Sequence, residues 1–162
     1  MDYTGPSDID SGICYDETAN GWRLPTEVEW EYLARGGNLT GTQTDYSGSN
    51  TIGNVAWYNG NSGDNGTGTN AKSHVVCTKD PNTLGLYDMS GNMWEWCWDW
   101  YTTDSNITVT TGALGPVSGT TRVFRGGGWD NISDYCKVNF RSQLGPGGLL
   151  ESIGFRVVRN AQ

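Results

Sequence analysis

The segment Gly85–Tyr101 reads GLYDMSGNMWEWCWDWY and decides the fold of this chain. Its second half places a tryptophan at every second position, which is the period of a β-strand. All four indoles are therefore expected on one face of the strand and the intervening polar groups on the other. Because a surface strand would not carry so much aromatic area, we predict a central strand packed against the core. The four tryptophans are Trp94, Trp96, Trp98 and Trp100.

Size and composition indicate one globular domain. The 162 residues fit a single unit, residues 1–162, in which residues 1–20 form a polar lead-in. Aromatic side chains make up 12% of the chain and glycines number 24, so we expect a loop-rich fold with a few large core residues. Eight tryptophans and eight tyrosines argue against disorder.

Charge and hydropathy restrict the partners. A formal net charge of −8 should repel nucleic acid and anionic membranes. No run approaches the roughly 18 apolar residues of a membrane span, so direct membrane insertion is not expected. The chain opens without a signal peptide. We suspect a secreted or cell-surface location, with any export signal lying outside this chain.

The clearest predicted helix lies between Gly21 and Gly37. Thr26 can cap it, and Glu29 three residues later completes a capping box. Val28, Tyr32 and Arg35, with Leu33 beside them, are expected to form its packed face. Two short strands are also predicted, at residues 73–78 and 122–125.

Three sequence blocks together resemble one known family. They are Gly85–Trp96 of the opening segment, the helical block RLPTEVEWEYLARGG at residues 23–37, and the carboxy-terminal frame of Arg125–Trp129 (RGGGW) with Gly154–Arg156. In this order they resemble the formylglycine-generating-enzyme family, the sulfatase-modifying-factor domain. The resemblance implies an α+β, C-type-lectin-like fold with short twisted strands and one or two helices. The glycine triplet at residues 126–128 lacks the other residues of a phosphate-binding loop and is predicted to form a tight turn.

The resemblance also places a catalytic centre. Members that oxidise a substrate cysteine hold copper with two cysteines that follow the Arg-Gly-Gly block. In this chain the second position is Cys136, whereas the first is Asn131. Because Cu(I) prefers thiolates, the copper oxidase is kept only as the alternative function, with Cys136 as its catalytic residue. From the residues alone, the four cysteines are either buried free thiols or members of one or two disulfides.

The irregular sequence between Trp129 and Ser152 is predicted to form a binding face. It follows neither strand nor helix periodicity, so it should form loops on a rigid frame, where binding surfaces commonly occur. Its position and character look like those of the variable proteins of bacterial diversity-generating retroelements, which use this fold to bind a protein or other macromolecular ligand. The other interpretation is that these loops merely close the fold. The predicted ligand-binding residues are Trp129, Asp130, Asn131, Ile132, Asp134, Tyr135, Phe140, Ser142, Leu144, Gly145, Gly147, Gly148, Leu150 and Ser152.

A structural calcium site is the last expectation. The resemblance places calcium ligands at Asp88, Gly91, Met93 and Glu95, the two central residues contributing backbone carbonyls. Carboxylate and carbonyl oxygens suit calcium. Alternatively, Asp88 and Glu95 cap turns or pair with an arginine, for which Arg23 or Arg125 is the candidate.

Overall fold

The computed structural model describes residues 20–38, 42–64, 69–103 and 115–160. Nearly all of the predicted lead-in, and the centre of the connection before residue 122, lie outside these ranges. The described elements are two helices, a 3₁₀ helix and four strands: α1 (Glu27–Ala34), α2 (Ile52–Val55), β1 (Trp94–Trp100), β2 (Arg122–Arg125), the 3₁₀ helix Ser133–Cys136, β3 (Arg141–Leu144) and β4 (Ile153–Phe155). None of these helices is long and apolar enough to cross a bilayer.

The sheet has the order β3-β2-β1-β4, so β1 is central as predicted. Strand β1 pairs antiparallel with β2 and parallel with β4, while β2 pairs antiparallel with β3. The strand predicted at residues 122–125 is β2. Residues 73–78 are not a strand; they turn at Val76 and Cys77, where the backbone φ of Cys77 is +64°.

Helix α1 begins with the predicted capping box. The Thr26 hydroxyl accepts a hydrogen bond from the Glu29 N–H at 3.2 Å, and the Glu29 carboxylate accepts one from the Thr26 N–H at 2.8 Å. The predicted packed face was largely wrong, because the buried helix residues are Glu27, Trp30 and Ala34. Of the predicted face, Leu33 does pack against the core. Tyr32 is 44% exposed.

The assignment of faces on β1 was also wrong. Trp94 is buried, but the other three tryptophans are only half-buried, whereas the intervening Glu95, Cys97 and Asp99 are all buried. The two acidic residues, Glu95 and Asp99, are stable in the core because each has hydrogen-bonding partners there. The Asp99 carboxylate accepts hydrogen bonds from the backbone N–H groups of Glu27 and Gly115.

Helix α1 packs on the sheet through ion pairs as well as apolar contacts. Arg125 of β2 is fully buried and pairs with Glu27 and Glu31 of α1. Arg141 of β3 also pairs with Glu27, at 2.6 Å. A buried charge needs such partners to offset the cost of leaving water. The helix is therefore fixed in position on the sheet by directional bonds.

Candidate functional site

The predicted binding face begins at a glycine turn. Gly126 and Gly127 have φ values of +96° and +76°, a region that favours glycine. A Cβ on Gly127 would lie 2.7 Å from the Cys136 sulfur. The Gly126 carbonyl accepts a hydrogen bond from the Gly91 N–H at 2.7 Å, which joins this turn to the segment before β1.

The segment after the turn, residues 129–131, is held in place through its backbone. Its three carbonyl groups accept hydrogen bonds from one neighbouring loop: Trp129 from the Ser62 hydroxyl at 2.6 Å, and Asp130 and Asn131 from the side-chain amide and backbone N–H of Asn59. The backbone of this segment is therefore held by partners outside the segment itself.

Asn131 stabilises the turn through two hydrogen bonds with Gly128. Its side-chain oxygen accepts a hydrogen bond from the Gly128 N–H at 2.9 Å, and its own N–H donates to the Gly128 carbonyl at 3.1 Å. This local bonding is typical of asparagine in turns. The residue at the first copper position is thus used structurally.

Cys136 is buried at the end of the 3₁₀ helix. Its side chain has no exposed surface and packs with Tyr46 and Val55. Burial, with a smaller contribution from the negative charge of Asp130, raises the pKa of the Cys136 thiol to about 12. A thiol with this pKa remains protonated at neutral pH, so it is a poor nucleophile. Cys77, Cys97 and Cys136 are all free thiols.

An aromatic cluster supports the exposed part of the face. The ring centroids of Tyr135 and Phe140 are 4.7 Å apart, and those of Phe140 and the buried Trp94 are 6.1 Å apart. Tyr135 is 40% exposed, so the cluster extends from the core to the surface. Aromatic pairs at these separations stabilise one another beyond the effect of burial alone.

The structure brings most of the predicted binding residues to the surface. Exposed members are Asp130, Ile132, Asp134, Tyr135, Gly147 and Leu150, and half-buried members are Trp129, Asn131, Phe140, Ser142, Leu144, Gly145 and Gly148. Ser152 differs, since it is only 4% exposed. Its hydroxyl hydrogen-bonds the Asp130 carboxylate at 3.1 Å, and its carbonyl accepts from the Trp94 N–H. Ser152 therefore orients Asp130 and is not itself a surface residue.

Sequence reasoning missed the supporting loop, residues 57–62. Asn59 and Ser62 hold the binding segment, and the Asn61 side chain bonds the loop to itself through the Tyr58 N–H and the Ala56 carbonyl. The available signal was the Asn- and Ser-rich sequence directly after the apolar residues Val55–Tyr58. That composition predicts turns, but it does not indicate which distant segment the turns contact.

The residues at the expected copper positions and those at the expected calcium positions suit their metals to different degrees. Within the described ranges, no cluster of three or more His, Cys, Asp or Glu side chains could hold a metal. Asn131 and the protonated Cys136 do not fit copper. Of the calcium set, the Asp88 Oδ1 atom is buried and has no hydrogen-bond partner among the described residues, which suits a cation.

Glu95 does not suit a calcium ion, because its carboxylate is already engaged. It pairs with Arg156 at 2.8 Å and accepts a hydrogen bond from the Trp30 indole at 2.7 Å. The arginine partner is thus Arg156, not Arg23 or Arg125. The Gly91 carbonyl accepts from the Met93 N–H. Calcium binding and arginine pairing were the alternatives for Glu95, and the structure has the pairing. Calcium binding itself stays a prediction.

The sequence matches the model of the sulfatase-modifying factor enzyme 1-like domain over residues 8–161. The chain belongs to this family. Among solved structures, Treponema denticola variable protein 1 is similar, with a TM-score of 0.71 and 43% identity over 88% of this chain and 49% of that one. These similarities agree with the C-type-lectin-like α+β fold expected of the sulfatase-modifying factor family. The structure of CarF is also similar, with a TM-score of 0.68 and 29% identity over 94% of this chain and 53% of that one.

Curated members of the family have diverse names. The chaperone protein LppX of Paenibacillus barcinonensis is 36% identical over 158 residues, which are 91% of this chain and 52% of LppX. The formylglycine-generating enzyme of Mus musculus is 36% identical over 146 residues, covering 84% of this chain and 38% of the enzyme. The chain therefore spans about half, or less, of the length of these relatives.

Proposed function

We propose that this chain is a non-enzymatic binding domain that presents the surface residues between Trp129 and Leu150 to a protein or other macromolecular ligand. The observation that carries the proposal is that Asn131 stabilises a turn through its side-chain hydrogen bond at the position where an oxidase would need a thiolate. The buried, protonated Cys136 supports the same conclusion.

The architecture of the face supports a binding role. Its backbone is held by the 57–62 loop, and the Trp94–Phe140–Tyr135 cluster anchors it to the core. Rigid aromatic side chains on a fixed backbone are common at binding hot spots. The similarity to a protein named as variable is consistent with a face in which side chains differ between copies. We propose a role of the diversity-generating-retroelement type on this basis.

The alternative function is a formylglycine-generating copper oxidase acting on a protein cysteine. The similarity to the mouse formylglycine-generating enzyme favours it. Asn131 at the first copper position, however, does not fit copper.

A copper titration distinguishes the two functions. The exposed Cys77 could bind copper by itself, and Cys14 is a further thiol, so both are first replaced by serine. In this background we expect no stoichiometric Cu(I) binding, no difference on adding Cys136→Ser, and no conversion of a cysteine-containing sulfatase peptide to the aldehyde. Tight Cu(I) binding that is lost in Cys136→Ser, or aldehyde formation, would establish the oxidase instead.

Two observations test the binding role directly. Genomic sequence around the gene should contain a reverse transcriptase and a template repeat if the face is diversified. Peptides selected on the protein from a displayed random library should lose affinity for Tyr135→Ala and Phe140→Ala, but not for Tyr32→Ala, an exposed tyrosine on α1. Equal affinity for all three variants would place the binding surface elsewhere.

A further inference from the structure

Two segments of the proposed binding face carry exposed apolar side chains. Ile132 and Tyr135 of the first are 56% and 40% exposed, and Leu149 and Leu150 of the second are 92% and 44% exposed. Apolar side chains held together at a surface are typical of a site that becomes covered on binding. The charges beside them indicate what kind of partner covers them.

The two segments, residues 130–135 and 149–152, meet at one hydrogen bond. The Ser152 hydroxyl donates to the Asp130 Oδ2 atom over 3.1 Å. Ser152 is itself only 4% exposed, and its carbonyl accepts a hydrogen bond from the Trp94 N–H of β1 at 2.8 Å. The sheet therefore holds the contact between the two segments in place.

Asp130 is a surface residue that is held by its neighbours. Its side chain is exposed, while its backbone carbonyl accepts a hydrogen bond from the Asn59 side-chain amide at 3.3 Å. Its negative charge contributes to the raised pKa of Cys136, the residue directly after Tyr135, so the carboxylate lies near the aromatic part of the face. A group that is already oriented loses less conformational freedom when it binds a partner.

The cations of the face are already paired. Residues 129–152 include two basic residues, Lys137 and Arg141. Lys137 pairs with Asp134 at 2.8 Å, and Arg141 pairs with Glu27 of α1 at 2.6 Å. Neither cation is therefore available to neutralise a further carboxylate.

Two exposed carboxylates beside the apolar side chains keep their charge. Asp130 and Glu151 take part in none of the ion pairs within residues 20–38, 42–64, 69–103 and 115–160. Lys72, whose N–H donates to the Ser62 carbonyl at 3.4 Å, pairs with neither of them. The face is thus negative, and so is the whole chain, with a formal net charge of −8.

Charge complementarity selects among the possible occupants. These carboxylates repel nucleic acid and anionic lipid. A metal ion would leave the apolar side chains uncovered, and a neutral peptide would cover the carboxylates without supplying a counter-charge, which is costly. A polypeptide segment with both basic and apolar side chains satisfies both parts of the surface.

We propose that the ligand of this face is a basic polypeptide segment, whose Lys or Arg side chains pair with Asp130 and Glu151 while its apolar side chains cover Ile132, Tyr135 and Leu150. This partner class depends on the binding role proposed above. Because both carboxylates are exposed, they act mainly on the rate of association and on the selection of basic sequences.

A displayed library of random peptides, selected on the native chain, supplies the probes. Peptides that lose binding to Tyr135→Ala are those that use this face, and we expect them to be enriched in Lys and Arg relative to the unselected library. The strongest of them is then synthesised twice, once unchanged and once with every Lys and Arg replaced by Gln. In titration calorimetry the Gln version should bind about tenfold more weakly or worse.

Variants of the chain test the two carboxylates directly. Asp130→Asn keeps an acceptor for the Ser152 hydroxyl, and Glu151→Gln changes an exposed residue, so urea unfolding should show unchanged stability for both. Combined, they should slow association of the unchanged peptide about fivefold and remove most of its salt dependence. Asp80→Asn is the matched control, because it removes the same charge from an exposed residue outside the face.

The outcomes separate the partner class from the binding role. Peptides that need Tyr135 but are not enriched in basic residues would overturn the basic partner and leave the binding role standing. Equal association with the native chain and the combined variant, or an equal effect of Asp80→Asn, would do the same. Absence of any peptide that depends on Tyr135 would overturn both.

Discussion

Asn131 and Cys136 carry the functional conclusion at the scale of single residues. The side-chain oxygen of Asn131 accepts a hydrogen bond from the Gly128 N–H and stabilises the turn. An asparagine side chain has no thiolate with which to bind copper. Cys136 is held in an apolar pocket, where ionisation is unfavourable. The two positions that the catalytic members use for copper are thus both part of the packed framework.

Cys136 predicts a pH dependence of stability. Its pKa is about 12 in the folded protein and near 9 when the thiol is solvated, so between these values the unfolded chain binds fewer protons than the folded one. The free energy of unfolding should therefore fall as the pH rises from about 9, and the contribution of this thiol is fully present only below that pH.

Urea unfolding at several pH values between 8 and about 11 measures this effect. Cys136→Ser should be less stable than the native chain at pH 8, and its stability should fall less steeply with pH. Cys77→Ser is the matched control, because the exposed Cys77 lies outside the core. An identical slope for the native chain and Cys136→Ser would contradict the assigned burial.

At the scale of elements, the contact between α1 and the sheet is unusually polar. Glu27 and Glu31 of the helix face Arg125 and Arg141 of the sheet, and the Trp30 indole donates to Glu95. The strand face rich in indoles points away from this contact. Buried ion pairs give directional specificity because they are satisfied in only one arrangement, and breaking one partner is expected to be costly.

The unequal burial of the β1 tryptophans predicts different effects of their substitution. Trp94→Ala should lower the free energy of unfolding by about 3–5 kcal/mol, as expected for a buried aromatic side chain. Trp96→Ala should cost less, since this residue is half-buried and packs edge-on against Phe124, whereas the buried Trp94 contacts the rings of Phe124, Tyr135 and Phe140. Denaturant unfolding of both variants checks the order. Equal losses would show that Trp96 is as well packed as Trp94.

At the scale of the whole molecule, one of the sequence blocks shared with the family connects segments that lie far apart in the sequence. The Gly85–Met93 segment is hydrogen-bonded to the glycine turn and to the 57–62 loop, so one segment helps to position the binding face. Asn92 illustrates this arrangement: its N–H donates to Trp57, and its carbonyl accepts from Trp129.

Calcium removal is the prediction at this scale. A calcium site at the four residues Asp88, Gly91, Met93 and Glu95 predicts a lower melting temperature on adding a chelator. The pairing of Glu95 with Arg156 predicts no change, and this is the result we expect. Differential scanning fluorimetry with EGTA, followed by excess calcium, measures the difference. A fall with EGTA that calcium reverses, and that Asp88→Asn abolishes, would establish the metal site.

Local signals determined much of this structure. The capping residues Thr26 and Glu29, the glycine turn at residues 126–128 and the strand period of β1 each depend on neighbouring residues, so the sequence by itself predicted them. The three family blocks likewise predicted the fold. The face of each element that packs inward was decided by tertiary structure alone.

Alternation places Trp96 and Cys97 on opposite faces but does not say which face meets the core. Glu27 and Asp99 are buried only because distant partners, Arg125, Arg141 and the Gly115 N–H, are brought to them by the fold. The lack of a hydrogen-bond partner for the Asp88 Oδ1 atom, among the described residues, is also a property of the tertiary structure, because the sequence does not say which groups surround that atom.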